Sequence, residues 1–329
     1  MPVITSHAAG RRTVTISSSI QRSAKLILIS ALFCGTSLFA QENWNGFDYA
    51  DALVSPKEIL WGGVQRDGIP AIHNPTFVEA GKADFLNDAD RVLGLTRNGV
   101  AKAYPIRIMD RHEIVNDRFG DEPIVVTYCP LCFSGMAFKA TIGGEVLRFG
   151  VSGLLYNSDV LLYDYNSDSL WSQIMSMAIS GPMKGTNIEA VTVAHTTWRD
   201  WKARHPETQV LTVNAILDFR YTSDPYARYQ STDRLMFPVA RENGAYKNKE
   251  RVLGLTIDGV HKAYPFRELR ATGKIEIDDV VAGRIVTIEW RESENYARVL
   301  DADGDELPSV IVYWFAWYAF HPSTVVFPG

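Results

Sequence analysis

Two cysteines separated by two residues are the part of this sequence best suited to chemistry. Cys129 and Cys132 stand in the segment TYCPLC at 127–132. The third cysteine, Cys34, lies near the N-terminus, so the body of the chain holds a single CxxC pair. A disulfide across so short a loop stabilises a fold only weakly, by about 2 kcal/mol in the chain-entropy model. The spacing therefore favours chemistry at the thiols over a structural crosslink.

Three functions fit this pair. Thiolates are good ligands for copper or zinc, and one or two histidines would complete a site of three or four ligands. Alternatively, the protein is a thiol–disulfide oxidoreductase, with Cys129 and Cys132 as catalytic residues that attack and resolve a disulfide of a redox partner protein. The third is a non-catalytic binding or scaffold module with a structural disulfide. No organic cofactor is expected, and whether the protein is an enzyme stays open.

His112 is the first candidate for a ligand beside the thiols. If residues 112–115 pair with residues 124–127, His112 lies opposite Thr127 and Cys129 becomes its diagonal neighbour on the same face. Diagonal neighbours in a sheet are about 7–8 Å apart by Cα. That separation allows a shared metal ion or an imidazole beside a thiolate.

An internal repeat indicates which elements position these residues. The segment RVLGLTRNGVAKAYPIR at 91–107 matches RVLGLTIDGVHKAYPFR at 251–267 in 13 of 17 positions. Asn-Gly and Asp-Gly in the middle of the segments predict tight hairpins, and the proline near each end predicts the start of a helix. With one residue inserted, the match resumes at 124–126 against 285–287. On this alignment Trp290 stands for Cys129 and Gly273 for His112, so only one copy carries the candidate site.

These patterns predict an α+β, mostly β fold with two repeated β-rich modules related by pseudo-twofold symmetry. A β-hairpin at 157–173 and a helix at 196–205 are expected between them, and the aromatic run at 313–320 is expected to form a buried strand. The predicted organisation is a signal peptide at 1–40, an irregular lead-in at 41–87, a first module with the CxxC pair at 88–151, a middle region at 152–247 and a second module at 248–329.

The N-terminus has the pattern of a cleavable secretory signal peptide. Four of the 33 basic residues and none of the 38 acidic ones lie in residues 1–40, and residues 26–40 form an apolar run that ends in Ala40. We expect cleavage after Ala40, a periplasmic or secreted location, and no membrane span in the mature chain. The acidic body lacks the basic cluster that binding to nucleic acid requires, so a nucleic-acid partner is not expected.

The body from about residue 62 to residue 321 resembles one family of exported bacterial and archaeal proteins, the domain of unknown function 3179. The motifs that carry the resemblance are DGIPA at 67–71, AYP at 103–105, HEIVND at 112–117, TYCPLC at 127–132, SGLLYNSD at 152–159, SLWSQ at 169–173, FAW at 315–317 and HP at 321–322.

This resemblance implies no activity, but it does imply which positions belong to the family motifs. His112, Cys129, Cys132 and His321 are among them, so these four residues are the predicted metal ligands. Tyr128 and Asp159 are predicted to support the ligands without binding the ion themselves. Phe133, Ser134 and Gly135 depart from the small-residue run that relatives often have at this point.

Overall fold

Short strands joined by tight turns dominate the computed structural model, which describes residues 43–214, 216 and 219–328. Strands make up 42% of the structure and helices make up 17%, which confirms the prediction of a mostly β fold with α+β character. The predicted signal peptide at 1–40, with Cys34, lies outside the described residues. None of the helices in the described part of the chain is long and apolar enough to cross a membrane.

The lead-in contributes two edge strands rather than a sheet of its own. β1 (Ile59–Trp61) and β2 (Thr76–Glu79) each join a sheet whose other strands come later in the chain. Three short 3-10 turns, Trp44–Gly46, Pro56–Glu58 and Ala80–Lys82, separate them from their neighbours.

The next region folds as a hairpin, a short helix and a three-stranded meander. Its elements are β3 (Arg91–Arg97), β4 (Val100–Pro105), α1 (Ile106–His112), β5 (Ile114–Phe119), β6 (Glu122–Cys129), β7 (Ser134–Lys139), β8 (Thr141–Ile142) and β9 (Glu145–Val146). Pro105 ends the strand and precedes the helix, and Asn98 in the hairpin turn adopts the positive φ that such a turn requires. The two predictions from the sequence pattern are therefore confirmed at this point.

The middle of the chain contains the predicted hairpin and helix. Its elements are β10 (Phe149–Tyr156), β11 (Asp159–Asp164), β12 (Leu170–Ser172), β13 (Met177–Ser180), β14 (Ala190–Val191), β15 (Ala194–Thr197), α2 (Trp198–Arg204), β16 (Gln209–Thr212), α3 (Phe219–Thr222) and α4 (Ala227–Gln230). β15 pairs with β3 and β16 pairs with β4, so the middle region extends the sheet formed by the first hairpin.

The C-terminal region begins with the second matching segment. Its elements are β17 (Arg251–Ile257), β18 (Val260–Pro265), α5 (Phe266–Thr272), β19 (Glu276–Val281), β20 (Arg284–Arg291), β21 (Tyr296–Leu300), β22 (Glu306–Leu307), β23 (Ser309–Tyr313), α6 (Trp314–Phe320) and β24 (Val325–Val326). The expectation of a strand over the aromatic run 313–320 was wrong. The strand ends at Tyr313 and α6 follows, with both tryptophans of WFAW buried on it.

Five sheets and one two-stranded hairpin result, in the orders β1-β10-β11-β12-β13, β14-β7-β6-β5, β15-β3-β4-β16-β2, β23-β17-β18-β24, β19-β20-β21-β22 and β8-β9. The sheet orders bring β6, β10 and β11 into the buried interior, and both cysteines belong to the largest cluster of buried side chains.

The pairing register corrects two details of the sequence alignment. Phe119 pairs with Glu122 and Val281 pairs with Arg284 at the ends of the two meander hairpins. If the two regions are aligned on these pairs, Arg291 rather than Trp290 matches Cys129. The two helices end at His112 and Thr272, so Gly273 follows its helix as Glu113 does, and it does not stand for His112.

Candidate thiol and carboxylate site

The two cysteines lie where β6 ends and the chain turns back into β7. Cys129 is the last residue of β6 and pairs with Ser134 across the turn. Pro130 has no N–H and so ends the ladder of hydrogen bonds, and Phe133 takes a positive φ of 63° that returns the chain. The loop is fixed from outside, because Tyr313 N donates to Cys132 O at 2.9 Å.

Asp159 approaches the thiols from a second hairpin. Asn157 and Ser158 form the two-residue turn between β10 and β11, and both have positive φ, as a type I′ turn requires. Asp159 follows as the first residue of β11. The sulfur atoms of Cys129 and Cys132 and a carboxylate oxygen of Asp159 all lie within 4.8 Å of one another.

The same turn presents a backbone acceptor to both sulfur atoms. Cys132 Sγ donates to Ser158 O at 3.3 Å, and Cys129 Sγ lies 3.7 Å from the same oxygen. Both thiols are free and almost completely buried, with 1% and 0% of their surface exposed. The three candidate ligand atoms thus lie together in one buried place.

A buried polar network orients the carboxylate. Ser134 Oγ donates to Gln173 Oε1 at 2.6 Å and lies 3.4 Å from Asp159 Oδ1, while Ile174 N donates to Asp159 Oδ2 at 3.2 Å. Gln173 Nε2 in turn donates to Thr127 Oγ1 at 2.8 Å. Hydrogen bonds of this kind fix the orientation of a carboxylate that could bind a metal ion.

Burial makes every acidic group of the site reluctant to ionise. It raises the pKa of Asp159 to about 7 and of Glu113 to about 8, and it raises the pKa of both thiols. The negative charges of Asp159 and Glu113 raise the pKa of Cys129 further. Desolvation without a nearby cation favours the protonated forms, so a positive ion would release protons on binding here.

Glu113 and Cys129 line a cavity of about 110 Å³. Glu113 directly follows α1 with a φ of 56°, a strained conformation for a non-glycine residue of this kind. Most of the remaining lining is apolar, including Leu131 and Val160. The cavity has room for an ion with water or for a small substrate group.

A stretch that we name the covering segment, residues 223–247, lines one side of this cavity. Tyr229 OH donates to Leu131 O at 3.0 Å, Ser158 Oγ donates to Phe237 O at 2.9 Å, and Ala240 N donates to Asn157 Oδ1 at 2.8 Å. Tyr226, Met236 and Phe237 contribute to the cavity lining. The segment is therefore tied to both hairpins that carry the ligands.

The structure places His112 away from the sulfur atoms. Ile114, not His112, pairs with Thr127, because α1 continues through His112 and the strand starts only at Ile114. Both ring nitrogens have partners: Nδ1 lies 2.7 Å from Pro70 O and Nε2 lies 2.9 Å from Tyr221 OH. The predicted register was thus wrong.

His321 also lies in a different environment. Its ring stacks on His261 at 3.9 Å and packs against Trp317 at 4.2 Å, and burial lowers its pKa to about 3. Within the residues described, the ligand atoms that come together are those of Cys129, Cys132 and Asp159, without either histidine.

Tyr128 and Asp159, the two predicted supporting residues, have different positions. Successive residues of a strand point to opposite faces, so Tyr128 faces away from Cys129 and belongs to a separate core cluster. Its hydroxyl accepts a hydrogen bond from Arg91 at 3.0 Å. Asp159 lies beside the sulfur atoms themselves.

Sequence reasoning did not single out Glu113 or Ser134 for the site, and Gln173 entered only as the last residue of the motif SLWSQ. All three lie in or next to segments already noticed, HEIVND, TYCPLC and SLWSQ. The covering segment has no comparable sequence pattern, and its role follows only from its contacts.

The fold and the site together define the class of the protein: it is mostly β and encloses two thiols and a carboxylate. The chain belongs to the family described as protein of unknown function (DUF3179), whose profile matches residues 66–324. The family resemblance stated from the motifs is thereby confirmed. No curated protein and no solved structure matches the chain.

Proposed function

We propose that Cys129, Cys132 and Asp159 bind a transition metal ion. The observation that carries this proposal is the convergence of three buried ligand atoms within 4.8 Å, in a place where the charges acting on the thiols are negative. Burying several acidic groups together without a cation is unfavourable, and a bound cation removes that penalty.

The donor set favours zinc over copper. Two thiolates and one carboxylate suit Zn²⁺, which takes sulfur and oxygen ligands in a tetrahedron, whereas Cu⁺ prefers sulfur alone. The fourth position would face the cavity that Glu113 shares with Cys129. An open fourth position is typical of catalytic zinc sites, and a protein ligand there is typical of structural ones.

The decisive experiment is the metal content of protein purified without chelators, measured by mass spectrometry alongside a titration of free thiols. We expect near-stoichiometric zinc in the wild type, none in the Cys129→Ser, Cys132→Ser double variant, and a clear loss in Asp159→Asn. His112→Ala and His321→Ala test the ligands predicted from sequence and should retain the metal. Stoichiometric metal in the double variant would overturn the proposal.

A second candidate function, thiol–disulfide exchange, is favoured by one specific observation. Asp159 has a pKa of about 7 and lies next to both thiols, so its carboxylate can accept a thiol proton. Cys129 would attack a substrate disulfide and release one thiol; Cys132 would then displace the second, leaving both cysteines oxidised and the substrate reduced by two electrons.

The environment of the thiols supports metal binding more than exchange. Reactive cysteines are usually part-exposed and have a lowered pKa, whereas burial raises the pKa of Cys129 and Cys132. Exchange would become the better-supported function if metal-free protein reduced a small disulfide and the Asp159→Asn variant reduced it more slowly than wild type. The structural-disulfide hypothesis has no specific contact in its favour, because both thiols are free.

We also infer that the two matching regions are copies of one duplicated unit. Val92 pairs with Pro105 as Val252 pairs with Pro265. Each hairpin gains one antiparallel strand on one side, β15 or β23, and one parallel strand on the other, β16 or β24. This support includes β15 and β16, which the sequence analysis had assigned to the middle region.

In this proposal the thiol site is an addition to one copy. Arg291 occupies the position of Cys129, and Gly273 occupies that of Glu113 with a φ of 64°. Glutamate thus holds, in the first copy, a positive φ of the kind that glycine adopts without strain in the second. Strained residues of this type are common at functional sites.

We also propose that the protein is exported, because residues 1–40 combine basic residues with an apolar run. Fractionation of cells and N-terminal sequencing of the mature protein test it. We expect the protein outside the cytoplasm with Gln41 as its first residue, and a cytoplasmic protein that retains residues 1–40 would contradict it.

A further inference from the structure

A second cavity, of about 370 Å³, lies next to the thiol site and carries an unusual set of charges. Arg91, Arg107 and Arg251 line it together with Asp90 and Asp110. Arg107 and Asp90 neutralise one another through an ion pair of 2.6 Å. Arg91 and Arg251 are left with no carboxylate in ion-pair contact among the described residues.

The two remaining arginines meet on one aromatic ring. The guanidinium carbon of Arg91 lies 3.7 Å from the centroid of Phe133, and that of Arg251 lies 4.3 Å from it. Arg91 also donates to Tyr128 OH, but in the described structure the side chain of Arg251 has no hydrogen-bond acceptor. Burial, and then the charge of Arg91, lower the pKa of Arg251 to about 10.

Asp110 supplies an unsatisfied acceptor in the same cavity. Its side chain is only 7% exposed, and its Oδ1 atom is buried without a hydrogen-bond partner. Asp224, which also lines the cavity, has its own partner, because its Oδ1 accepts from Tyr226 N at 2.7 Å. Among the described residues, the cavity therefore offers the guanidinium of Arg251 without an acceptor and one carboxylate oxygen of Asp110 without a donor.

We propose that this cavity binds a phosphate group, either as inorganic phosphate or as a small phosphate monoester. Oxygen atoms of the phosphate would accept from Arg91 and Arg251, as planar guanidinium groups suit oxyanions. Hydrogenphosphate also carries one P–OH, which would donate to Asp110 Oδ1. Sulfate has no proton at neutral pH and leaves that oxygen unpaired.

We expect selectivity for phosphate over sulfate, because hydrogenphosphate carries a proton that sulfate lacks. A site that contains a buried acceptor rejects a ligand without the matching donor, because the acceptor then loses its hydrogen bonds to water and forms no new hydrogen bond. The cavity volume exceeds that of one phosphate, so an attached organic group has space. None of these side chains belongs to the thiol cluster, so the inference does not depend on the metal proposal.

Isothermal titration calorimetry of the full mature chain tests the proposal, with inorganic phosphate as the probe. The titration is run at about pH 8, where an aspartate with a pKa near 7 is mostly ionised. Ionic strength is held constant with chloride. We expect phosphate to bind and sulfate to bind at least about tenfold more weakly. Glycerol phosphate in a parallel titration distinguishes the monoester from the free ion by which of the two binds more tightly.

Variants locate the binding in this cavity. Arg251→Gln should weaken phosphate binding at least about tenfold, whereas the matched control Arg270→Gln, which removes an exposed arginine, should leave it unchanged. Asp110→Asn places an amide donor at the unsatisfied position and should reduce the preference for phosphate over sulfate. Arg251→Lys keeps the charge and should bind more tightly than Arg251→Gln.

Three results would overturn the proposal: no binding of either probe by folded wild type at millimolar concentration, equal phosphate affinity in Arg251→Gln and wild type, or equal affinity for phosphate and sulfate. Circular dichroism establishes that each variant is folded. If Arg251→Gln does not fold, the comparison of phosphate with sulfate in the wild type decides the matter alone.

Discussion

Glu113 and Cys129 face the same small cavity although they come from different elements, a residue following a helix and the end of a strand. The backbone joins them as well, because Tyr128 N donates to Glu113 O at 2.8 Å. A carboxyl group with a pKa of about 8 is thereby held beside the thiol that has access to the cavity. Four predictions follow from this arrangement and from the packing around it.

Asn157→Ala should expose the thiols to reagents. The side chain of Asn157 accepts the hydrogen bond from Ala240 N that helps to hold the covering segment. Losing one such bond costs about 1 kcal/mol, so opening of the segment becomes roughly fivefold more frequent. The rate of thiol modification by an aromatic disulfide reagent measures this directly.

Asn98→Ala is the matched control for that experiment. Asn98 has a φ of 51° against 52° for Asn157, so both substitutions impose the same backbone strain in a hairpin turn. Asn98 has no contact with the covering segment, and its variant should modify at the wild-type rate. Equal acceleration in the two variants would show that strain, not cover, controls access.

Glu113→Gln should alter the dependence of stability on pH. The folded protein raises the pKa of this carboxyl from 4.5 to about 8, mainly by burial. The folded state therefore binds this proton more tightly, and the contribution of Glu113 to stability is fully present below pH 4.5 and is lost as the pH rises through 8. Glutamine removes this loss, which is on the order of a few kcal/mol. Urea unfolding between about pH 5 and pH 9 measures it, and exposed Glu79→Gln should change nothing.

Lys102→Met should destabilise the protein by about 3–5 kcal/mol, because it leaves a buried carboxylate without its cation. Lys102 Nζ lies 2.9 Å from Asp117, and both side chains are less than a tenth exposed. Adding Asp117→Asn to the variant should recover most of the loss. Arg284→Met breaks an exposed pair with Asp258 and should cost less than about 1 kcal/mol. Equal effects of the two single variants in chemical denaturation would contradict this account.

Gly94→Ala should destabilise the fold through overlap with a tryptophan. A Cβ at position 94 would lie 2.2 Å from the ring of Trp201, and one at Gly254 would lie 2.3 Å from Trp317. Overpacking of this kind costs about 1–3 kcal/mol. Gly81→Ala, which meets nothing within 4 Å, should be neutral or slightly stabilising by thermal unfolding. A neutral Gly94→Ala would mean that the tryptophan moves without cost.

Local patterns in the sequence were sufficient for the hairpins and helices of the two matching segments. Asn98 and Pro105 act through backbone geometry that depends on near neighbours only. The segment 313–320 shows where this local information ended: its aromatic residues suit a buried strand and a buried helix equally, and packing decides between them.

The site was predictable only in part, for a related reason. The CxxC spacing identified the thiols, but the third candidate ligand, Asp159, comes from another hairpin and depends on how two sheets pack. His112 was misplaced because the end of α1 shifted the strand register by two residues. Glu113 and the covering segment take their importance from contacts between distant parts of the chain, which no local pattern records.

The hydrogen bond from Tyr313 N to Cys132 O has a consequence for the order in which the protein is assembled. The backbone of the cysteine loop is complete only after β23, near the end of the chain, has docked against it. Contacts between residues so far apart in sequence form late in folding, since a long loop must close first. We therefore expect the thiol site to form late in folding, and a chain that lacks its last strands to lose this site along with its C-terminal sheet.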